Sequence, residues 1–198
     1  MYDSRERYFH PTAEIHADTK IGNGTQIWNL VQLRVGCEIG ENCNLGKGVY
    51  IDCGVKIGNN VKIQNGVSVY QGITIEDDVF VGPHVVFSND KYPRSFNKEW
   101  KIVPTLIKKG ASLGAGSIIL CGLTIGKYSM IGLGCVVIKD APNYGLVVGN
   151  PGKLVAFVCE CAKRLETQEI QKEYVLMKCC DCDRIITISR DDYLLLKE

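Results

Sequence analysis

An aliphatic or aromatic residue recurs at every sixth position from Ile15 through Ile21, Ile27, Leu33, Ile39, Leu45, Ile51, Ile57, Ile63, Val69, Ile75 and Val81 to Phe87. Four positions after each stands a second residue that is small and apolar or carries a hydroxyl, as at Thr25, Val31, Cys37, Cys43, Val61 and Val85. Three positions after most of them stands a residue that tolerates a left-handed backbone: Asp18, Gly24, Gly36, Asn42, Gly48, Gly54, Asn60, Gly66, Gly72 and Asp78. The unit is a short strand with one inward side chain, a corner, and a second inward side chain. Repeated at six, it predicts an all-β parallel β-helix of hexapeptides, a rod whose layers touch only their neighbours.

The count stops at FSNDKYPRSFNKEW, residues 87–100, and resumes at Ile107, Leu113, Ile119, Ile125, Ile131 and Val137. The interval predicts an extruded loop over about 88–106 carrying Tyr92, Pro93, Arg94, Phe96 and Trp100. A long irregular loop on a rigid scaffold is more often functional than idle.

Composition narrows the classes. The 198 residues include 23 basic and 22 acidic side chains, a formal charge of +1 that points to neither nucleic acid nor an anionic membrane surface. No apolar window reaches the length of a membrane span, and the polar start MYDSRERYFH reads as no export signal, so a cytoplasmic location is expected. Metal-dependent hydration on such a prism needs three converging histidines, and His10, His16 and His84 do not recur at suitable offsets.

The runs IGNGTQIW, IGENCN, LGKGVY and IGNNVKI resemble the hexapeptide-repeat acyltransferases, whose β-helix is left-handed with three hexapeptides per triangular coil. Within that family, KIQN, VSVY, EDDVF, the Gly-Pro before the loop and the YPR inside it resemble the branch that N-acetylates 3-amino sugars attached to a nucleotide. The likeness runs from about His10 to Val158. It departs at Trp28-Asn29, where relatives read Trp-His. The resemblance implies transfer of acetyl from acetyl-CoA to the 3-amino group of such a sugar in surface-polysaccharide synthesis, with UDP-2-acetamido-3-amino-2,3-dideoxy-glucuronate the first choice. A dTDP-linked 3-amino-deoxy sugar and a noncatalytic scaffold trimer are the alternatives. It also implies a homotrimer with sites between subunits.

Carried onto this chain, the resemblance makes Asn89 the residue that orients the amine, although an Asn beside Asp90 also serves as a turn former. His84, just before the loop, is either a general base or a corner residue. Gln64, Tyr70, Asp90, Tyr92 and Arg94 are the sugar-nucleotide candidates. GASLGAGSIILCG and VVIKDAPNYGLVVGNPGKLV resemble the acetyl-CoA side, which makes Gly110, Ala115 and Gly132 a track for a thin ligand and Lys139 and Lys153 partners for its phosphates. These glycines can also be simple corners, and at the third offset, in Gly110, Gly116 and Gly134, that reading is as good as the ligand track.

Of ten cysteines, Cys37, Cys43 and Cys135 fall in the small inward row, where a thiol acts as a compact hydrophobe. Five lie in the last 41 residues, 158–198, read as a tail separate from the prism of 1–157. Cys159 and Cys161 with Cys179 and Cys182 match a four-thiolate structural zinc site in a small zinc-ribbon-like tail. The spacing is C-x-C and then C-x-x-C, Ala162 and Asp183 stand where a knuckle often has glycine, and Cys180 is left over. A reduced, metal-free tail or a redox pair is the other reading.

Overall fold

The computed structural model describes residues 7–197. Two-residue strands form wherever the repeat places an inward aliphatic, and each pairs in parallel with the strand one coil away. Gln26 pairs with Asn44, Asn44 with Lys62 and Lys62 with Phe80, so one coil takes 18 residues. Among the described residues three sheets result, here called faces 1, 2 and 3, of nine, seven and six strands. Successive strands of the chain pass from face 1 to face 2 to face 3.

The inward rows form one continuous core. Ile27, Leu45, Ile51, Ile63, Ile107 and Ile131 are at most 1% exposed. Burial pushes the thiols of Cys37, Cys43 and Cys135 up, as expected of cysteines acting as hydrophobes. Most corners bear out the third-offset reading: Gly24, Gly36, Asn42, Asn60 and Asp78 have φ between 54° and 70°, and Leu30, His84 and Tyr128 join them, whereas Asp18 is not among the left-handed residues.

A second glycine role was not foreseen. Gly22, Gly40, Gly58 and Gly114 follow the inward aliphatic, and a Cβ there would lie 2.4–2.7 Å from backbone atoms of the next coil. These glycines set how closely coils stack.

The loop is an insertion in one coil. Ile57 pairs with Ile75 after 18 residues, but Ile75 pairs with Ile107 after 32. The prism therefore continues on the same three faces with 14 extra residues extruded. The loop ends sooner than 106, because Thr105–Ile107 is already a strand on face 3.

At its C-terminal end the prism closes with Gly145–Val148 on face 1 and the antiparallel strand Lys153–Phe157. Beyond it, Leu165–Ile170, Tyr174–Cys179 and Ile185–Ser189 form a three-stranded antiparallel sheet, followed by the helix Arg190–Leu194. Ser189 caps that helix by accepting the Asp192 N–H at 3.0 Å. The small second core holds eight buried residues, two of them cysteines.

Candidate functional site

Strand order assigns each candidate residue to one of the prism's three edges. Gln64, His84, Ala115 and Gly132 lie on the edge between faces 1 and 2. Tyr70, Asn89, Asp90 and Lys139 lie on the edge between faces 2 and 3, where the loop carrying Tyr92 and Arg94 also emerges. Gly110 lies on the third edge, between faces 3 and 1, which removes it from any track shared with Ala115 and Gly132. At Gly110 (φ +71°) a Cβ would meet the Tyr128 ring at 2.2 Å, so the corner explains this glycine. Gly132 is a close-approach position, where a Cβ would lie 2.8 Å from Val148 Cγ1.

The loop is fastened at its base. The Val103 N–H donates to the Asn89 carbonyl at 2.9 Å, and the Ser88 hydroxyl accepts the Cys121 N–H at 2.9 Å. The returning segment lies against two glycine corners: a Cβ would lie 2.3 Å from Ile102 at Gly72 and 2.9 Å from Val103 at Gly122. Asn89 Nδ2 donates to the Gln71 carbonyl at 3.3 Å, while the Gln71 N–H donates to Asp52 Oδ2 at 3.3 Å.

Asp52 is the hub of this base. Its Oδ1 also accepts the Cys53 N–H at 2.8 Å and the Tyr50 hydroxyl at 3.1 Å. Burial acts to raise this carboxyl, but the N–H groups of Cys53 and Gln71 and the Tyr50 hydroxyl outweigh it and hold it below the usual carboxylate range. Tyr50 is pushed the other way, by burial first and then by Asp52. The Tyr50 and Tyr70 rings sit 6.3 Å apart, so Tyr70 joins the same cluster. Sequence reasoning missed Tyr50, Asp52 and Gln71. The available signal was the coil length: Gln71 precedes Asn89 by one coil of 18 residues.

Above this base Asn89, Asp90, Pro93, Arg94, Asn97 and Trp100 line an open hollow of about 480 Å³. Asp90 does form a turn, accepting the Tyr92 N–H at 2.9 Å. Arg94 folds back, its Nη1 donating to the Pro93 carbonyl at 2.8 Å. Tyr92 stands 75% exposed, with the Lys91 ammonium 5.9 Å from its ring centre.

On the other edge His84 occupies a left-handed corner (φ 56°), its ring filling the space above Gly66, where a Cβ would lie 2.7 Å from Nδ1. The corner reading of His84 is therefore satisfied. Its ring is exposed.

Lys139 and Lys153 do come together. Both line a cleft of about 380 Å³ at the C-terminal end of the prism, with Ile138, Leu154, Leu195 and Leu196. Asp140 also lines the cleft, its carboxylate accepting the Thr124 N–H at 2.8 Å, so two ammonium groups face one carboxylate beside an apolar trough.

The four tail cysteines converge. Their sulfurs lie within 4.8 Å of one another, with Cys159–Cys182 at 3.6 Å, Cys161–Cys179 at 3.5 Å and Cys161–Cys182 at 3.7 Å. Thiolates about 2.3 Å from a tetrahedral zinc sit about 3.8 Å apart, so this donor set fits that ion. Ala162 and Asp183 adopt the knuckle's left-handed backbone without glycine, at φ 68° and 58°. The Cys182 N–H points at Cys179 Sγ across 3.5 Å, and N–H groups of Cys182 and Asp181 bring the Cys179 thiol down to about 6. Cys180 is exposed and outside the cluster. No helix among the described residues is long and apolar enough to cross a membrane.

Two family models match the chain, "Hexapeptide repeat of succinyl-transferase" over residues 37–71 and "Bacterial transferase hexapeptide (six repeats)" over residues 18–53. A dTDP-3-amino-3,6-dideoxy-alpha-D-galactopyranose 3-N-acetyltransferase from Aneurinibacillus thermoaerophilus is 45% identical over 74 residues, 37% of this chain and 35% of that protein. A galactoside O-acetyltransferase from Lactococcus lactis is 36% identical over 88 residues, 38% of this chain and 42% of that protein. The chain thus spans well under half the length of these curated relatives. Among solved structures, a hexapeptide transferase family protein from Anaplasma phagocytophilum has a TM-score of 0.55 at 18% identity, covering 79% of this chain and 81% of its own, which supports the fold alone. The two models together match residues 18–71, where the hexapeptide repeat runs without a break.

Proposed function

We propose that the protein transfers acetyl from acetyl-CoA to the amino group of a nucleotide-linked 3-amino sugar. The observation that carries this reading is the fastened loop: Asn89, held by Gln71, lines an open hollow of about 480 Å³ together with Arg94 and Trp100. The Aneurinibacillus relative is named for a dTDP-linked 3-amino sugar, so that substrate stands beside the UDP-linked glucuronate. Arg94, in the same hollow, favours an acidic sugar.

The chemistry asks little of the protein as a base. A sugar amine with a pKa of about 8 is partly deprotonated at neutral pH. What remains is to hold the amine against the thioester carbonyl, stabilise the oxyanion, and take one proton as CoA thiolate leaves. Asn89 orients the amine and His84 takes the proton. Gln64, Tyr70, Asp90, Tyr92 and Arg94 hold the sugar nucleotide, while acetyl-CoA is shared between Ala115 and Gly132 on one edge and, in a neighbouring chain, the cleft of Lys139 and Lys153, with Lys139 on the opposite edge of face 2.

His84 and Asn89 flank face 2 on different edges, so a complete site on this reading needs two chains. Face 2 supports such a seam. Its outer surface turns apolar beside the loop, with Val86 51% and Ile118 42% exposed. Face 3 instead carries a ladder in which Glu38 pairs with Lys20 at 3.0 Å and Lys56 at 3.8 Å. A left-handed homotrimer joined along face 2, with a structural zinc in each tail, completes the proposed architecture. Mass spectrometry after incubation with acetyl-CoA and UDP- and dTDP-linked 3-amino sugars tests the reading. One acetyl gained on one of these amines is expected, and no product with any of them refutes the substrate class.

A further inference from the structure

The cleft that holds Lys139 and Lys153 is not built by the prism alone. One wall comes from the strand Lys153–Phe157, through Lys153 and Leu154. The facing wall comes from Leu195 and Leu196, which follow the C-terminal helix Arg190–Leu194. The first wall leads straight into the cysteine cluster, and the second is reached from it through one strand and the helix. Cys159 lies two residues past the strand Lys153–Phe157. Cys182 lies in the turn before the strand Ile185–Ser189, whose last residue caps the helix.

The connections between cluster and helix are short and specific. Tyr193 stacks on Phe157, with ring centres 6.4 Å apart and planes at 11°, and its hydroxyl lies 3.0 Å from the Thr167 hydroxyl. Leu196 and Tyr193 pack on the same small core that contains Cys159 and Cys179. With eight buried residues that core is too small to order a tail by hydrophobic burial alone, and a metal cross-link is the usual substitute.

From this arrangement we infer that zinc held by Cys159, Cys161, Cys179 and Cys182 fixes the Leu195–Leu196 wall of the Lys139–Lys153 cleft, so that metal loading sets the affinity of the cleft for acetyl-CoA. The inference rests on the acetyl-CoA reading of that cleft. The tail is thereby part of the binding machinery rather than an appendage. Binding of a ligand to a competent state only fractionally populated is weakened by that fraction, which is the effect of an unclamped wall.

The test uses the full chain in three states: zinc-loaded, stripped with a chelator under reducing conditions, and reloaded with zinc. Metal content is measured by mass spectrometry, acetyl-CoA affinity by calorimetry, and amide exchange over residues 190–196 by hydrogen–deuterium exchange. Expected are one zinc per chain, an acetyl-CoA Kd raised about tenfold or more on stripping with faster exchange in the helix, and recovery on reloading. Leu195→Asp should weaken acetyl-CoA binding with zinc content unchanged, which separates the wall from the metal. A chain that binds no zinc, or one whose Kd is the same in all three states, overturns the inference and leaves the acetyl-CoA reading intact. A zinc-loaded chain with a protected helix that binds no acetyl-CoA overturns the reading of the cleft and the inference together.

Discussion

Asn89 Nδ2 donates to the Gln71 carbonyl at 3.3 Å, one coil below it, and the N–H of the same Gln71 donates to the Asp52 carboxylate. The Asn89 side chain at the base of the loop is thus seated on a corner that a carboxylate already holds. Replacing Asn89 with Ala should lower kcat/KM for acetyl transfer about 100-fold, the usual cost of a misplaced reacting group. The melting temperature should scarcely move, since the Asn89 carbonyl keeps its bond to Val103. Steady-state kinetics with a thermal melt decides this, and a variant with wild-type kinetics would remove Asn89 from the reaction.

Asp52 gives a pH signature. Its carboxyl lies below the usual range in the folded chain, so on acidification the unfolded chain, with a carboxyl near 3.9, takes up the proton first. The stabilisation is complete above that value and is lost as pH falls through the lower folded value. Asp52→Asn should therefore melt below the wild type at pH 7, by about 2–6 °C. The difference should shrink below about pH 4. Parallel melts of the two proteins across pH 3–8 measure it, and a gap that grows towards acid contradicts the network.

Two glycines separate corner strain from coil stacking. At Gly54 (φ +66°) a Cβ would meet nothing within 4 Å, so Ala there costs only left-handed strain, about 1–2 kcal/mol. At Gly58 a Cβ would lie 2.5 Å from Asp77 Oδ1 and 2.6 Å from its backbone nitrogen. Gly58→Ala should force two coils apart and cost about 3 kcal/mol or more. Urea unfolding of both variants should rank them in that order.

Cys180 serves as a control for the metal centre. Because it is exposed and outside the cluster, Cys180→Ser should keep the full zinc content. Cys179→Ser removes one of four thiolates and should lower zinc affinity sharply. Competition with a chromogenic chelator compares them, and equal loss in both variants would assign Cys180 to the metal.

The prism was legible because its information is local. Each hexapeptide states its own inward residue and its own corner, and the pattern needs only to repeat, so Ile15 to Phe87 could be read without knowing what touches what. The four tail cysteines were legible for a similar reason, since thiols in two short pairs carry few other meanings. Roles that depend on a neighbouring coil were not. Asp52 and Gln71 are ordinary residues until 18-residue winding sets one coil on the next.

The sequence by itself determined the repeat, the break in it and the two pairs of tail cysteines, because side-chain size and backbone tolerance act residue by residue. Only the tertiary structure decided that His84 and Asn89 stand on different edges, that Gly110 leaves the track expected of it, and that the tail returns Leu195 to a cleft beside Lys139 and Lys153. Those facts follow from how three faces and a folded-back tail close in space, and no single stretch of chain encodes that closure.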